Sequence, residues 1–484
     1  MEILLVNYDN DTFTCHFPQG LAAVAAVMRN EGHEVTIWDQ DINHYPDYML
    51  RSYLDSNRFD VIGISIIAGY WQYKKLISLS REINGSKNRP GTFIIGGYGP
   101  TPLPEYFLKK TGADVVVMGE GEDTTRDLLL TLSNNQPLSN VLGIAYREED
   151  VVTINPRRPL VTVDELNNLD RVPMPAYDLF DTKVYRMLRD TGSNKSEFVM
   201  PMLSGRGCTF KCNFCYRMDT GYRARSMENI LEEIDYLSRE HGINYFVFTD
   251  DLLMISKPRT IEFVEGILMY QERTGHKFRW NCNGRLNFCT PEILKMMKRS
   301  GCGYINFGIE AFDNEALKKM KKGLTTDMIV RGIQQTLDVG ITPGLNFIWG
   351  NIGETRETLN KAVDFLLKYD NHSELRTIKP VTPYPGSPLY YYAIEKGLLD
   401  PTNPAEDFYE NKHLNSDLIA CNFTALTDKE MYEALTEANS TLVKAHFNFQ
   451  TENYLKITKK LYSEMDVDFR GYRQYDTPGQ EAAA

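Results

Sequence analysis

Three cysteines stand in one short stretch of the chain, SGRGCTFKCNFCY at residues 204–216, with the spacing C-x3-C-x2-C. The apolar run just before it predicts a strand at Met202–Ser204, so the thiols occupy a loop at the carboxyl end of that strand. Thiolates are the preferred ligands of iron–sulfur clusters, and a four-iron cluster normally takes four of them. Three thiols therefore predict a cluster with one iron left open to a small molecule.

A zinc site and three incidental buried thiols are the alternatives. A structural zinc ion takes four ligands, usually from two spaced pairs, and the sequence has no second C-x2-C pair. Cys282 and Cys289 are six residues apart and fit a strand residue and a loop residue better than a ligand pair. We therefore favour the iron–sulfur interpretation.

Strand and helix patterns also alternate in the region of the chain that contains the cysteine stretch. Residues 199–390 predict six βα units, hence a partial or complete parallel barrel of the (β/α)6 type, with chemistry at the carboxyl ends of its strands. Ser226 and Thr290-Pro291 predict helix starts within it. The predicted strands are Met202–Ser204, Tyr245–Phe248, Phe278–Cys282, Tyr304–Ile309, Leu345–Trp349 and Thr377–Val381.

Residues 1–135 predict a separate α/β domain, a Rossmann-like doubly wound parallel sheet, because their strands are continuous apolar runs. Ligands of such sheets bind beyond the carboxyl ends of the strands. Here those ends carry Ser65, Gly97-Tyr98-Gly99 and Gly119-Glu120-Gly121, which form either ligand-binding loops or ordinary tight turns. The predicted strands are Ile3–Val6, Val35–Trp38, Val61–Ile66, Phe93–Gly96 and Asp114–Met118.

Two regions carry weaker patterns. Residues 136–198 contain several prolines and predict a linker with one hairpin, Gly143–Arg147 and Val151–Asn155. Residues 391–484 predict a mostly helical region whose tyrosines and phenylalanines either close over the barrel mouth or pack as core.

Composition narrows the function. The 484 residues include 65 acidic and 53 basic ones, a net charge of −12, which disfavours a nucleic-acid partner. Neither a signal peptide nor an apolar stretch of about 18 residues stands out, so the sequence predicts a cytoplasmic protein without a transmembrane segment. A small-molecule substrate fits this composition.

The cysteine stretch resembles the signature of the radical S-adenosylmethionine (SAM) superfamily, in which an aromatic residue, here Tyr216, follows the last cysteine. The order of further motifs resembles its cobalamin-binding subgroup, and Pro18–Leu21 and Gly32–Val35 resemble that subgroup's B12-binding domain. The matching motifs are Arg223–Ser226, Phe248–Asp251, Trp280–Arg285, Gly308–Glu310, Gly353–Thr355 and Pro383–Tyr390.

The resemblance implies cofactors and site residues. Cys208, Cys212 and Cys215 would hold a [4Fe–4S] cluster whose fourth iron binds SAM and cleaves it to a 5′-deoxyadenosyl radical. An electron donor such as flavodoxin or ferredoxin would reduce the cluster. The residues expected at SAM are Tyr216, Asp250, Asp251, Arg285 and Glu310, with an internal salt-bridge set as the alternative for the charged ones.

Cobalamin is the second implied cofactor. The residues expected around it are Ser65, Gly97, Tyr98, Gly119, Glu120 and Gly121. The D-x-H-x-x-G motif of classical B12 enzymes is absent, which implies that no protein histidine binds the cobalt. The loop Gly97-Tyr98-Gly99-Pro100-Thr101 departs from the family's usual G-G-P-H-P-T pattern.

The sequence leaves four candidate functions to weigh against one another. The leading hypothesis is methylation of an unactivated carbon, and the main alternative is a cyclase, a dehydratase or another non-methylating radical enzyme. A tRNA methylthiotransferase is disfavoured because the N-terminal domain has a single cysteine, Cys15, instead of three. A corrinoid-binding sensor is disfavoured because it would not need the three clustered thiols.

Overall fold

The computed structural model describes residues 1–12, 16–149, 151–169, 171–218 and 220–473. Cys15, which entered the comparison with methylthiotransferases, lies outside these residues. Within them the chain forms two main sheets, one from residues 2–154 and one from residues 199–380. The predicted α/β architecture is confirmed.

The first sheet has seven strands in the order β2-β1-β3-β4-β5-β6-β7. Strands β1 to β5 are parallel, whereas β6 and β7 form an antiparallel hairpin on β5. The hairpin predicted for the linker thus extends this sheet past residue 135. The strands are β1 Glu2–Asn7, β2 Glu34–Asp39, β3 Val61–Ser65, β4 Thr92–Gly96, β5 Val115–Val117, β6 Ile144–Glu148 and β7 Val151–Ile154.

The second sheet is a half-barrel of six parallel strands in sequential order. Each predicted barrel strand overlaps an observed one, although the first begins earlier and ends before Ser204. A short antiparallel pair, β9 Gly205–Arg206 and β10 Arg223–Ala224, brackets the cysteine loop. The half-barrel strands are β8 Val199–Met202, β11 Tyr245–Phe248, β12 Arg279–Gly284, β13 Cys302–Glu310, β14 Thr342–Trp349 and β15 Lys379–Pro380.

Helices connect and cover these strands. The predicted caps form: Ser226 accepts a hydrogen bond from the backbone N–H of Asn229, and Thr290 accepts one from Ile293. The helices are α1 Gln19–Asn30, α2 Gln40–Asn43, α3 Tyr48–Ser56, α4 Tyr70–Asn84, α5 Pro104–Thr111, α6 Glu122–Ser133, α7 Val163–Leu166, α8 Thr182–Tyr185, α9 Met227–His241, α10 Lys257–Thr274, α11 Pro291–Arg299, α12 Asn314–Lys319, α13 Thr326–Asp338, α14 Arg356–Tyr369, α15 Pro388–Glu395, α16 Pro404–Glu406 and α17 Asp428–Tyr462.

Up to residue 473, the C-terminal region packs on the outer helices of the first domain and along the outside of the half-barrel. Tyr409 stacks on Tyr73 of α4 with ring centroids 4.6 Å apart, so residues 390–421 pack on the outer helices of the first domain. Helix α17 runs along α14, and its Asn439 pairs with both backbone groups of Ile378 beside β15. Most tyrosines and phenylalanines of the described C-terminal residues therefore pack in the core or lie on the surface. None of the described helices is long and apolar enough to cross a membrane.

Candidate functional site

The cysteine loop leaves the half-barrel at the carboxyl end of β8. It starts at Gly207, whose φ of +82° is a conformation that residues with a Cβ rarely adopt. Cys208 then forms an isolated bridge with Thr220, which closes the base of the loop. The hairpin β9–β10 continues from this base, so the loop is fixed at both ends.

Asn213, between the second and third cysteines, anchors the middle of the loop. Its side-chain amide exchanges two hydrogen bonds of 3.0 Å with the amide of Asn351, which follows β14. Its backbone N–H donates to the carbonyl of Met320, and its carbonyl accepts from the N–H of Leu389. Three distant segments therefore hold the loop in one conformation.

The three thiols fit a cluster better than a single metal ion. Around a tetrahedral zinc ion, sulfur atoms would lie about 3.8 Å apart, given Zn–S bonds of about 2.3 Å. Among the described residues, the only group of three or more candidate ligands whose donor atoms all lie within 4.8 Å of one another contains no cysteine. At least two of the three sulfur atoms therefore lie more than 4.8 Å apart, a separation that a four-iron cluster spans more readily than one ion does.

Two charged residues face the thiols. Burial raises the pKa of Cys208 and that of Cys215, the latter to about 12, and the charge of Asp251 adds to both shifts. Asp251 is solvent-exposed, yet partial burial in the concave site raises its own pKa. Arg285 lies close enough to Cys208 for its charge to lower that thiol's pKa. A bound cluster would supply the positive charge that thiolates need here.

Arg285 is held tightly in the site. Its guanidinium carbon lies 3.4 Å from the ring centroid of Phe210 in the cysteine loop, and Nη2 donates to the carbonyl of Lys322. The side chain is buried. Of the residues predicted to bind SAM, Asp251 and Arg285 are therefore placed beside the thiols.

Asp250 and Glu310 are occupied by the protein itself. Asp250 accepts hydrogen bonds from the backbone N–H groups of Ser204 and Gly205 and from the Ser204 hydroxyl, and burial raises its pKa to about 6. Glu310 has φ +71° and accepts a 2.9 Å hydrogen bond from the buried Lys322. Both carboxylates thus have partners within the protein, as the salt-bridge alternative expects for Glu310, and contact of either residue with SAM stays a prediction.

Tyr216 joins the cysteine loop to the first domain. Its ring meets that of Tyr98 edge to face, with centroids 6.1 Å apart. A Cβ at Gly386 would lie 2.5 Å from the Tyr216 ring, so only glycine fits there. Tyr216 and Tyr98, predicted at SAM and at cobalamin respectively, are therefore neighbours.

The predicted cobalamin loops differ in the space around them. A Cβ at Gly97 would lie 2.4 Å from the carbonyl oxygen of Ile66 and 2.8 Å from the Ser65 hydroxyl, so Gly97 permits packing between two loops. Gly119, in contrast, has φ +84° and no atom within 4 Å of its Cβ position. With Ile67 55% and Tyr98 37% exposed beside these strand ends, the edge offers open, partly apolar space for a flat ligand.

Glu120 binds the protein rather than the open space. Its two carboxylate oxygens accept hydrogen bonds of 2.9 Å from Arg206 on β9 and 2.8 Å from Arg223 on β10. Glu122 binds Arg206 as well, at 2.6 Å. Gly121, between the two acids, packs against Val24 instead of lining the open space. These four charged side chains, which we call the interdomain clamp, bring the carboxyl ends of the two sheets face to face.

Two sets of residues were not identified from the sequence. One is the clamp's pair of arginines, which lie on either side of the cysteine loop. The other is an amide ladder across the half-barrel: Asn306 donates to Asn283, and Asn346 donates to Asn306, at 2.9 and 2.5 Å. Part of their signal was present, since Asn306 and Asn346 are each flanked on both sides by apolar residues inside a predicted strand.

Comparison with known proteins matches both domains. The family model described as the radical SAM superfamily matches residues 202–366, and that of the B12 binding domain matches residues 10–129. An uncharacterized methyltransferase of Pyrococcus horikoshii is 31% identical over 391 residues, which span 79% of this chain and 79% of that protein.

Two further relatives bear on the chemistry and the fold. The anaerobic magnesium-protoporphyrin IX monomethyl ester cyclase of Rubrivivax gelatinosus is 24% identical over 384 residues, 77% of this chain and 65% of that enzyme. The structure of the radical SAM methyltransferase TsrM from Kitasatospora setae, solved with cobalamin and a [4Fe–4S] cluster bound, superposes with a TM-score of 0.70. It is 17% identical, with 91% of this chain and 88% of that chain covered, and thus shares the fold.

Proposed function

The chain belongs to the radical SAM superfamily, in the group whose members also carry a B12-binding domain, and from this premise we propose that it methylates an unactivated carbon of a small molecule. The observation that carries the proposal is the interdomain clamp. By holding Arg206 and Arg223, Glu120 sets the open strand ends of the B12-binding domain against the cysteine loop. A methyl carrier and a radical source would then share one cavity.

The residues present fit the two cofactors. Cys208, Cys212 and Cys215 would hold the [4Fe–4S] cluster, and the open space beside Gly119 would receive cobalamin without a histidine ligand. When bound, the cluster supplies the electron that cleaves SAM to a 5′-deoxyadenosyl radical, and cobalamin supplies a transferable methyl group.

The chain's own residues would bind and orient the substrates. Asp251 beside the thiols offers a carboxylate for the ammonium group of SAM, and Arg285 offers a guanidinium for its carboxylate. Tyr216, between the thiols and Tyr98, offers an aromatic face for the adenine. The amide ladder offers hydrogen-bond donors and acceptors on the half-barrel side, where a small polar substrate would be held.

A non-methylating radical reaction is the second candidate, and its support is the similarity to the Rubrivivax gelatinosus cyclase. Both functions need the same radical source, so cluster chemistry does not separate them. They differ in whether a carbon of the product comes from SAM.

Transfer of an isotope label from SAM to the product distinguishes methylation from a non-methylating reaction. We would incubate the reconstituted full-length protein with SAM carrying a deuterated methyl group, flavodoxin or ferredoxin as reductant, and a small-molecule extract of the organism that carries the gene. Methyl transfer predicts a methylated product in which a CD3 group replaces one hydrogen of the substrate, with S-adenosylhomocysteine and 5′-deoxyadenosine formed in equal amounts. Extract-dependent 5′-deoxyadenosine with no S-adenosylhomocysteine and no labelled product would contradict methylation and favour the cyclase-type reaction. The variant lacking all three loop cysteines is the control.

We also propose an electron donor and a cellular compartment for the enzyme. A low-potential one-electron donor of the flavodoxin or ferredoxin type would reduce the cluster. A reducing cytoplasm would keep the three thiols available for iron, because thiols persist in reduced form there.

A further inference from the structure

A second group of metal-type ligands lies at the other end of the half-barrel. Asp370 and His372 belong to the loop after α14, and His446 lies on α17. This loop is at the amino ends of the strands, because Arg376 donates to the carbonyl of Pro343 near the start of β14. The group is therefore separate from the cysteine loop, which lies at the carboxyl ends.

The three side chains converge. One donor atom from each of Asp370, His372 and His446 lies within 4.8 Å of the other two. Oδ2 of Asp370 and Nδ1 of His372 are 3.4 Å apart. The side chain of Asp370 is 6% exposed and that of His372 16% exposed, so the group is largely shielded from water.

Two ring nitrogens in this group lack a hydrogen-bond partner. Nδ1 of His372 and Nδ1 of His446 are both buried, and neither makes a hydrogen bond. Buried polar atoms without partners are rare in folded proteins and call for a specific explanation. A metal ion bound by both imidazoles would satisfy them.

The surroundings resemble the outer shell of a metal site. Nε of Arg376 lies 3.5 Å from Oδ1 of Asp370, which leaves Oδ2 turned toward His372. Gln450 on α17 donates to the carbonyl of His372, and the ring of Phe449 lies 4.5 Å from the imidazole. Partners of this kind orient ligands and are typical of metal centres.

The charges suit a divalent cation. Arg376 is paired with Glu374, so two carboxylates and one guanidinium leave a net negative charge at the group. Two imidazoles and one carboxylate are ligands that zinc accepts.

We propose that Asp370, His372 and His446 bind a zinc ion that fastens helix α17 to the base of the half-barrel. Three protein ligands leave one position of a tetrahedral ion for water. The ion would join the last long helix to the loop that follows α14, adding to the hydrogen bond that Gln450 already donates to the His372 carbonyl. This inference does not depend on methyl transfer.

Zinc content of the reconstituted holoenzyme tests the proposal, since the cluster then occupies the thiols of the cysteine loop. After equilibration with buffered free zinc, we expect one zinc atom per chain, with full iron content. His446→Ala and the isosteric Asp370→Asn should each weaken zinc binding by more than the roughly 10- to 100-fold that loss of an outer-shell partner costs. His276→Ala, which alters a partly buried histidine packed beside Tyr270 and Phe278, should leave zinc binding unchanged.

A second measurement guards against variants that fold poorly. A zinc chelator should lower the thermal unfolding midpoint of the parent protein and leave that of Asp370→Asn unchanged, because only the parent loses a bound ion. A parent that holds no zinc, or variants that hold as much as the parent with equal affinity, would overturn the proposal.

Discussion

The two facing edges of the molecule carry their chemistry in different ways. At the half-barrel edge, three cysteines are chemically distinctive, and the structure gathers them in one anchored loop. At the B12-domain edge, the sequence offers mainly glycines, and they do different things: Gly97 allows two loops to pack, whereas Gly119 faces open space. A thiol motif therefore identifies a site by itself, but a glycine-rich strand end does so only when its surroundings are known.

The largest effect is expected from removing the three thiols at the half-barrel edge. Replacing Cys208, Cys212 and Cys215 with alanine should abolish cluster iron and the visible absorption of the reconstituted protein, because these thiols share one loop. Iron analysis after anaerobic reconstitution measures this. Cys302→Ala, which alters a buried core thiol, should keep its iron. Equal iron in the triple variant would refute the ligand assignment.

Two alanine substitutions distinguish the roles of Gly97 and Gly119 at the edge of the B12-binding domain. Gly97→Ala should destabilise the protein by about 3 kcal/mol, because its Cβ would clash with the Ile66 carbonyl at a positive φ. Gly119→Ala should cost about 1 kcal/mol, from φ alone, yet should lower cobalamin retention on gel filtration. Urea unfolding measures the first effect. If Gly119→Ala retains cobalamin fully, the open space beside it is not the binding site.

The interdomain clamp can be weakened without changing the cysteine loop or the glycines at the strand ends of the B12-binding domain. Glu120→Gln should destabilise the protein by about 2 kcal/mol, less than the roughly 3–5 kcal/mol for a fully buried ion pair, because glutamine still accepts one hydrogen bond. Urea unfolding at neutral pH measures this loss. Glu105→Gln, which breaks the exposed pair with Lys109, should change stability by less than about 0.5 kcal/mol. Equal effects of the two variants would mean that the clamp does not hold the edges together.

A pH dependence should arise on the half-barrel side. Glu354, whose carboxylate binds the N–H of Asn351 behind the cysteine loop, has its pKa raised by burial to about 8. Between its ordinary value and 8 the folded state binds a proton that the unfolded state lacks, so stability falls as pH rises. Urea unfolding from pH 5.5 to 7.5 should show a downward slope that Glu354→Gln reduces by about 1 kcal/mol per pH unit. An unchanged slope in that variant would contradict the assignment.

Much of the fold could be predicted from the sequence because its strands are apolar and its helices are clearly capped. The strands around Val61–Ser65 and Tyr245–Phe248 are where the pattern indicates them, and Ser226 caps as expected. The sequence predicts β6–β7 as a hairpin but does not place it in the first sheet. Strand pairing across an edge depends on tertiary contacts that local pattern does not encode.

The site could be predicted only where residue chemistry is specific. The cysteines were identified by their spacing, whereas Asp250, Glu310 and Glu120 were selected as charged residues at strand ends. The structure gives each of these carboxylates a partner within the protein, a distinction that depends on residues far away in sequence, such as Ser204, Lys322 and Arg206. Long-range partners of this kind cannot be inferred from one sequence.

If the cluster and cobalamin occupy one cavity between the facing edges, their unpaired electrons should interact, and electron paramagnetic resonance detects such an interaction. We would follow the microwave power saturation of the cob(II)alamin signal before and after reduction of the cluster to its paramagnetic state. We expect faster relaxation of the cobalt signal when the cluster is reduced, and no change in the variant lacking Cys208, Cys212 and Cys215. If reduction of the cluster leaves the relaxation of the cob(II)alamin signal unchanged in the intact protein, a shared cavity is contradicted.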